Sequence, residues 1–277
     1  MATKHRPAFG LSSENLEIDP ETETRAHALL ELLAEETGAS LGLRPIHGYR
    51  DLGEALDDGR VDFAWLPPVP AIRGIWMGRL RPVAVPVRQG RTDFFAVLFV
   101  RRDARAATMN DLAGQRVGWV DRSSASGYTV PRERLLALGE PPDRLFRSQV
   151  CLGSHIDVVR AVRNGLVDVG ATYAQFGPHG RLLELAGREA RDDLRVILAA
   201  GPIPNEVIVA SSRVPHPLVQ RVEDALTSAP SESQVARAAT QVFRCERLVA
   251  VTDGHLQALG DLMDGAHTAR PPRDAHA

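Results

Sequence analysis

The sequence predicts an α/β protein made of two similar units, and three observations lead to that prediction. Strand-like and helix-like segments alternate along the chain, and its 277 residues give room for two domains. The pattern of residues 56–62 also returns at residues 162–168, each time as a helix that ends in glycine before a strand that opens with Val-Asp. Ordinary α/β architecture produces the same pattern, so the repeat alone leaves two readings open.

The first part of the chain contains two predicted helices among short strands. Apolar residues spaced three and four apart predict a helix over residues 21–37 that ends at Gly38, and a shorter helix over residues 51–58 ends at Gly59. Short apolar runs predict five strands, over residues 7–11, 43–47, 61–66, 81–87 and 94–101. We therefore expect a first unit of βαβα type, in which helices cover one sheet.

The second part of the chain repeats this alternation after a charged connector at residues 102–107 and a short helical turn at residues 109–115. Glycine follows each of two predicted helices, over residues 131–138 and 155–164. Strands are predicted over residues 117–120, 149–152, 167–171 and 207–210, and a last helix over residues 217–227. The polar tail from Ala266 onward is expected to fray.

Composition argues against several classes of partner. The formal net charge is -2 and aromatic residues make up 5%, so neither a basic field nor a stacking surface points to nucleic acid or to an anionic membrane. The longest apolar runs, such as residues 94–100 and 207–210, are far too short to span a bilayer. We expect no nucleic-acid partner and no direct membrane insertion.

The N-terminal residues 1–7 have a small basic start with no apolar segment behind it, so no signal peptide is predicted. The chain as written is therefore expected in the cytoplasm. The alternative is a periplasmic or other extracytoplasmic protein whose leader was removed.

Cys151 and Cys245 are the only cysteines, and their spacing fits neither a zinc site nor a disulfide framework. We expect two reduced and buried thiols. Because Cys151 stands near a candidate anion site, a soft arsenic-type or redox ligand is the competing reading.

Small hydroxyl residues and a glycine stand between an apolar strand and a helix-like stretch. They are Ser123, Ser124, Ser126 and Gly127, and Tyr128 opens the helix. A helix start presents unpaired backbone N–H groups and the positive end of the helix dipole, and hydroxyls add further donors. The segment 123–128 therefore predicts a local site for tetrahedral oxyanions. A plain helix cap by Ser126 fits the same residues and is compatible with binding.

Ordered motifs extend from this segment along the chain: residues 59–66, 111–114, 124–128, 131–132, 153–155, 164–171, 203–205 and 251–253. Together they resemble the phosphonate/phosphite/phosphate-binding proteins of ABC transporters. The resemblance runs from about residue 7 to residue 263, nearly the whole chain.

The resemblance implies a two-lobe fold of the type 2 periplasmic binding proteins, with a ligand cleft between lobes joined by a two-stranded hinge. Lobe 1 would contain residues 1–102 and 205–277, and lobe 2 residues 103–204. The chain would cross near residues 100–105 and again near residues 201–205. The implied activity is binding of a small oxyanion without cofactor or metal. The implied role is that of an ABC-transporter receptor, or of a cytoplasmic sensor or carrier derived from one. The implied partner is an ABC permease or a signalling protein.

The resemblance also assigns roles in the second lobe. Ser124, Ser126, Gly127 and Tyr128 fall on the family's anion loop. His155 falls on a family histidine that would donate a hydrogen bond to an anion oxygen at a helix start.

The resemblance also draws attention to residues outside these two motifs. Trp65 would either close the wall of the first lobe or belong to its core, and Asn205 would either touch ligand or fix the hinge. Tyr173 and Gln175 stand where the family often has an acidic residue for a substrate amine, so a neutral or purely anionic ligand fits better. Phe94 and Phe95 likewise replace an aromatic-polar pattern that is commonly rich in tyrosine.

A cytoplasmic enzyme of cofactor or secondary metabolism on the same fold is the second function class. His155, Asp121 and Glu206 are its candidate acids or bases, and they form no recognisable pair in the sequence. No Ser-His-Asp order, metal-ligand motif or nucleotide phosphate loop is visible either. Binding is therefore favoured over catalysis.

Overall fold

The computed structural model describes residues 6–12, 21–122, 124–177, 182–185 and 193–257. These residues divide into two compact units. The first contains the described residues up to Thr92 together with those from Pro204 on, and the second contains Asp93–Ile203.

The described residues form twelve strands and eight α-helices. The strands are β1 (Ala8–Ser12), β2 (Gly42–Ile46), β3 (Phe63–Leu66), β4 (Leu80–Val87), β5 (Asp93–Arg101), β6 (Arg116–Trp119), β7 (Ser148–Cys151), β8 (Val169–Phe176), β9 (Leu182–Leu185), β10 (Leu194–Pro204), β11 (Val207–Ser211) and β12 (Arg247–Ala250). The helices are α1 (Thr22–Thr37), α2 (Tyr49–Asp58), α3 (Pro68–Trp76), α4 (Val130–Ala137), α5 (Pro142–Leu145), α6 (His155–Arg163), α7 (His216–Thr227) and α8 (Gln234–Phe243). A 3₁₀ turn (Met109–Leu112) and a π-helical turn (Ala125–Thr129) complete the set.

The first unit is built on a sheet with the strand order β12-β4-β11-β3-β1-β2. β1 runs parallel to β2 and β3, whereas β11 runs antiparallel to β3 and β4. Helices α1, α7 and α8 bury apolar side chains in one cluster with this sheet, among them Leu33, Phe63, Val222 and Phe243. The predicted helix over residues 21–37 is confirmed: α1 ends at Gly38, whose φ of 67° places it in the left-handed conformation.

The second unit is built on a sheet with the order β10-β5-β8-β6-β7, and β9 pairs with β8. β6 is parallel to β7 and β8, and β5 is antiparallel to β8. One core cluster joins Val158 and Val162 of α6 to Phe99, and another joins Leu135 of α4 to Trp119. The helices predicted over residues 131–138 and 155–164 are confirmed as α4 and α6.

One predicted strand belongs to the other unit. Residues 94–101 were expected in the first unit, but β5 pairs with β8 along Phe95–Val100 and so lies in the second sheet. The chain therefore passes between the units at Thr92–Asp93 and again at Ile203–Pro204, the first point about ten residues earlier than expected.

Three helices and the exposure of one thiol differ from the sequence-based predictions. Helix α3 begins at Pro68, where the pattern predicts only the end of a strand, and the pattern predicts neither α5 nor α8. Cys151 is exposed, so its predicted burial is wrong: β7 is an edge strand, and all four of its residues are exposed. Cys245 is half-buried.

No helix in the described part of the chain has the length and apolar character needed to cross a membrane. Across the same residues, no group of three or more His, Cys, Asp or Glu side chains is placed to hold a metal ion.

Close packing of β8 against β5 and α6 predicts a stability difference between two glycine variants. A Cβ at Gly170 would lie 2.5 Å from Phe99 Cζ and 2.8 Å from Val162 Cγ2, so Gly170→Ala should destabilise by about 1–3 kcal/mol. The control is Gly53→Ala in α2, where a Cβ meets nothing within 4 Å and should stabilise by about 0.5–1 kcal/mol. Urea unfolding measures both; equal midpoints would contradict the tight packing at Gly170.

Candidate functional site

The turn after β6 contains most of the predicted anion loop. Ser123 lies outside the described residues. The Ser124 hydroxyl accepts a hydrogen bond from the Gly127 N–H at 3.0 Å, and the Ser124 carbonyl accepts one from the Thr129 N–H at 3.0 Å. Ser124 is therefore the residue that caps the helical segment, which excludes the alternative interpretation of Ser126 as the cap.

Gly127 lets this turn close onto the end of β6. A Cβ at Gly127 would lie 2.3 Å from Val120 Cγ2 and 2.6 Å from Val120 Cβ, so only glycine fits without rearrangement. The Val120 N–H donates a hydrogen bond to the Gly127 carbonyl at 3.1 Å. The neighbouring Ser126 is 4% exposed, and no hydrogen bond from its hydroxyl is found among the described residues.

Tyr128 has a packing role through its ring. The ring meets the Trp119 indole edge-on, with centroids 5.7 Å apart, and the Arg132 guanidinium lies 4.9 Å from the Tyr128 ring centroid. The Tyr128 ring therefore belongs to the α4 side of the second unit. The backbone N–H and the phenol O–H are the two groups of Tyr128 that can donate to an anion.

The second predicted motif, residues 153–155, lies at the same end of β6. The Gly153 N–H donates to the Val120 carbonyl at 2.9 Å, and the Ser154 hydroxyl caps α6 by accepting the Asp157 N–H at 3.1 Å. His155 is then the first residue of α6. Val120 thus links the Gly127 turn and the Gly153–His155 segment through two backbone hydrogen bonds.

His155 is oriented by two neighbouring residues of β8. Its Nδ1 lies 2.9 Å from the hydroxyl oxygen of the fully buried Thr172, and its ring meets the Tyr173 ring edge-on at 5.1 Å. Thr172 was not among the predicted site residues, although it stands directly beside Tyr173 in the sequence. Burial lowers the pKa of the His155 imidazole from 6.5 to about 4, against an opposing effect of Asp121. The imidazole is therefore neutral at physiological pH.

Two more side chains of β8 and β5 lie in this region of the second unit. The Phe94 ring meets the Tyr173 ring edge-on, with centroids 6.4 Å apart. Gln175 is 4% exposed, and its side-chain oxygen has no hydrogen-bond partner in the described structure. A buried acceptor without a donor is costly, which makes Gln175 a candidate contact for a bound group.

Trp65 and Asn205 belong to the first unit. Trp65 is 6% exposed and packs edge-on against Phe243 at 5.4 Å, within the core cluster. The Arg88 guanidinium lies 6.0 Å from the Trp65 ring centroid. Trp65 Nε1 has no partner among the described residues. Of the two readings of Trp65, the contacts in the first unit therefore support the core role.

Asn205 is fully buried and ties chain segments of the first unit together. Its side-chain amide donates to the Pro86 carbonyl at 2.8 Å, and its backbone N–H donates to the Thr92 carbonyl at 2.8 Å. These contacts support the role of Asn205 in fixing the chain beside the point where it leaves the unit.

The neighbouring Glu206 is committed to an ion pair. Its carboxylate lies 2.8 Å from Arg88 Nη1. Burial acts to raise the pKa of Glu206, but the Arg88 guanidinium outweighs burial and holds that pKa below its ordinary value. An ionised and paired carboxylate is poorly suited to proton transfer at neutral pH, so Glu206 gives the enzyme alternative no support.

Solved structures with this fold define the class of the protein. XAC2383 from Xanthomonas citri, solved bound to ATP, has a TM-score of 0.74 at 22% identity and covers 95% of this chain and 99% of its own. PhnD1 from Prochlorococcus marinus, solved in complex with methylphosphonate, has a TM-score of 0.70 at 12% identity, with 95% of this chain and 98% of that chain covered. The chain thus has the two-lobe α/β fold of the periplasmic binding proteins.

A family model identifies the group within that class. Residues 17–256 match the family described as ABC transporter, phosphonate, periplasmic substrate-binding protein, and the chain belongs to this family. A curated relative, the phosphate-import protein PhnD of Mycolicibacterium smegmatis, is 24% identical over 155 residues, which are 52% of this chain. That match spans about half of the relative's length, 48%.

The low pKa of His155 predicts an acid-dependent loss of stability. The folded-state pKa of about 4 lies below the ordinary 6.5, so the unfolded chain takes up a proton first as pH falls. The contribution of the neutral His155 imidazole to the free energy of unfolding is complete above pH 6.5 and is lost as pH falls towards 4. The free energy of unfolding changes there by at most about 1.4 kcal/mol per pH unit. Urea unfolding at several pH values should show a flatter dependence for His155→Gln than for the wild type.

The matched control is His216→Gln, at an exposed residue that begins α7 in the first unit. It should keep the wild-type slope. An unchanged slope in His155→Gln, or an NMR titration midpoint of His155 near 6.5, would contradict the buried neutral imidazole.

Proposed function

We propose that this protein binds a phosphate-type oxyanion, namely a phosphonate, phosphite or phosphate. The observation that carries the proposal is the pair of backbone hydrogen bonds at Val120, which joins the Gly127 turn to the segment that begins α6 at His155. Helix starts present N–H groups without intrahelical acceptors and favour negative charge. Two such segments meeting at one strand end form a cradle suited to an oxyanion.

The donors in this cradle are neutral. When the Thr172 hydroxyl donates to His155 Nδ1, the imidazole proton resides on Nε2 and is available to an anion oxygen. The Ser126 hydroxyl and the first N–H groups of the Ala125–Thr129 turn supply further donors. The Ser124 hydroxyl oxygen accepts the Gly127 N–H and so holds the turn, and its own O–H proton remains a further donor.

The substituent on the phosphorus is limited by Gln175. Its amide oxygen is a neutral acceptor, so an ammonium group on the ligand would gain a hydrogen bond but no charge pair. An aminoalkyl ligand therefore lacks, at this position, a carboxylate to pair with its ammonium group, whereas the hydroxyl of hydrogen phosphate can donate to the Gln175 oxygen without a charge pair.

Transport is the physiological role that family membership favours. We propose an ABC permease as the partner and an extracytoplasmic location, in preference to the cytoplasmic one expected from the N-terminal residues. The named relatives include a phosphate-import protein and a protein solved with methylphosphonate, and both support the same ligand class. No specific observation favours an enzyme.

A ligand screen tests the proposal. Thermal shift with phosphate, phosphite, methylphosphonate, sulfate and ATP, followed by calorimetry, should find a phosphorus oxyanion that raises stability by about 2.7 kcal/mol at one hundred times its Kd. His155→Ala and Ser126→Ala should each weaken binding about 10- to 100-fold, because each removes a hydrogen bond to a charged group.

Matched controls are His216→Ala and Ser148→Ala, both at exposed residues. They should leave the affinity unchanged. Absence of any shift with all of the phosphorus oxyanions would overturn the proposal, and wild-type affinity in both site variants would remove those residues from it.

The role of Gln175 predicts a change of selectivity. Gln175→Glu should raise the affinity for 2-aminoethylphosphonate relative to methylphosphonate by about tenfold, since a buried carboxylate gains a charge-assisted hydrogen bond to the ammonium group. Competition calorimetry with both ligands measures the ratio, and methylphosphonate serves as the internal control. A ratio equal to that of the wild type would place Gln175 away from the substituent.

A further inference from the structure

We propose a second anion-binding site in the second unit, in a pocket of about 310 Å³ whose charged lining consists of Arg101, Arg105, Arg116 and Asp168. The pocket adjoins Arg116, where β6 begins, and Gly165, just beyond the end of α6. The oxyanion cradle proposed above adjoins the opposite ends of the same two elements. The nine residues of α6 correspond to about 13 Å, so the two sites are separate.

Positive charge exceeds negative charge around this pocket. Asp168 is committed to Arg116, whose Nε and Nη2 lie 2.9 and 2.7 Å from its carboxylate oxygens, and it also lies 3.8 Å from Arg147. The hydrogen bond from Arg116 holds the pKa of Asp168 below its ordinary value. Arg101 pairs with the exposed Asp103 at 3.1 Å. The pocket lining therefore contains three guanidinium groups and one carboxylate, and that carboxylate is paired with Arg116.

Two of these guanidinium groups converge at Gly165. Arg116 Nη2 donates to the Gly165 carbonyl at 2.8 Å, and a Cβ at Gly165 would lie 4.0 Å from Arg101 Nη1. Like charges brought together repel, and an anion between them would offset that repulsion. Guanidinium groups present paired donors that match carboxylate and phosphate oxygens.

The apolar residues of the pocket lining favour a ligand that has a compact apolar part. Val162, Val167 and Val169, with Ala104 and Ala106, line the pocket beside the arginines. Arg195 donates to the Ala104 and Ala106 carbonyls at 2.9 and 2.6 Å and so fixes that wall. The volume is at the lower end for small-molecule sites, about 300–1,000 Å³. The chemical class that fits is a small organic anion with a carboxylate or phosphate end and a compact apolar body.

The test uses the full chain carrying His155→Ala, which weakens the proposed oxyanion cradle. Calorimetry with phenyl phosphate and with benzoate should find one site with a Kd of about 1 mM or tighter for at least one of them. Inorganic phosphate, which lacks the apolar body, should bind more weakly. Added salt should reduce the affinity.

Arg101→Gln and Arg105→Gln, each added to His155→Ala, should weaken probe binding about tenfold through loss of a charge-assisted hydrogen bond. Arg116 is left intact because its bond to Asp168 supports the fold. The control is Arg50→Gln, an exposed arginine in the first unit paired with Glu54. Circular dichroism establishes that each variant is folded.

Binding of neither probe to the His155→Ala protein would overturn the second site, as would equal affinities in both arginine variants and the control. Failure of the first site would instead appear as no difference between wild type and His155→Ala with inorganic phosphate. The two proposals therefore fail in distinguishable ways.

Discussion

The geometry of the second unit's candidate site depends on the backbone of Val120. Its N–H donates to the Gly127 carbonyl and its carbonyl accepts from the Gly153 N–H, at 3.1 and 2.9 Å. These bonds bring two motifs, separated by some thirty residues of sequence, to the end of β6. Since both bonds use backbone atoms, the side-chain requirement falls on Gly127, where a Cβ would collide with Val120. Hydroxyls and an imidazole, all neutral donors, can then be positioned around one strand end.

The first unit has a comparable constraint at Asn205. Its side chain and backbone hold the Pro86 and Thr92 carbonyls, and His255 Nε2 lies 3.0 Å from the Thr92 hydroxyl. Both points at which the chain leaves or re-enters this unit, Thr92 and Pro204, therefore adjoin one buried amide. From the sequence alone, Asn205 could either touch ligand or fix the hinge. The structure gives it well-defined contacts within the first unit. Its side-chain oxygen has no hydrogen-bond partner among the described residues.

Much of the fold could be predicted from local sequence signals. Features that depend on contacts between distant residues could not. Gly38 and Gly165, with φ of 67° and 70°, mark helix ends that any sequence reading can find. The assignment of β5 to the second sheet rests on its pairing with the distant strand β8, as between Phe95 and Ala174, which no local pattern encodes. The anion loop and His155 were visible as motifs, but Thr172 was not. Its role comes from one contact across α6 and β8.

The two ends of α6 offer different solutions to anion binding. At its start, burial and the positive end of the helix dipole both disfavour a charged imidazole. His155 therefore contributes an oriented hydrogen-bond donor rather than a positive charge. Recognition there would rest on donors arranged around a tetrahedral group, which favours selectivity by shape. Beyond its end, where the dipole is negative, guanidinium groups are favourable and bring full charge. With a net charge of only -2 on the whole chain, both sites must rest on local arrangement. The first would therefore depend weakly on salt, and the second strongly.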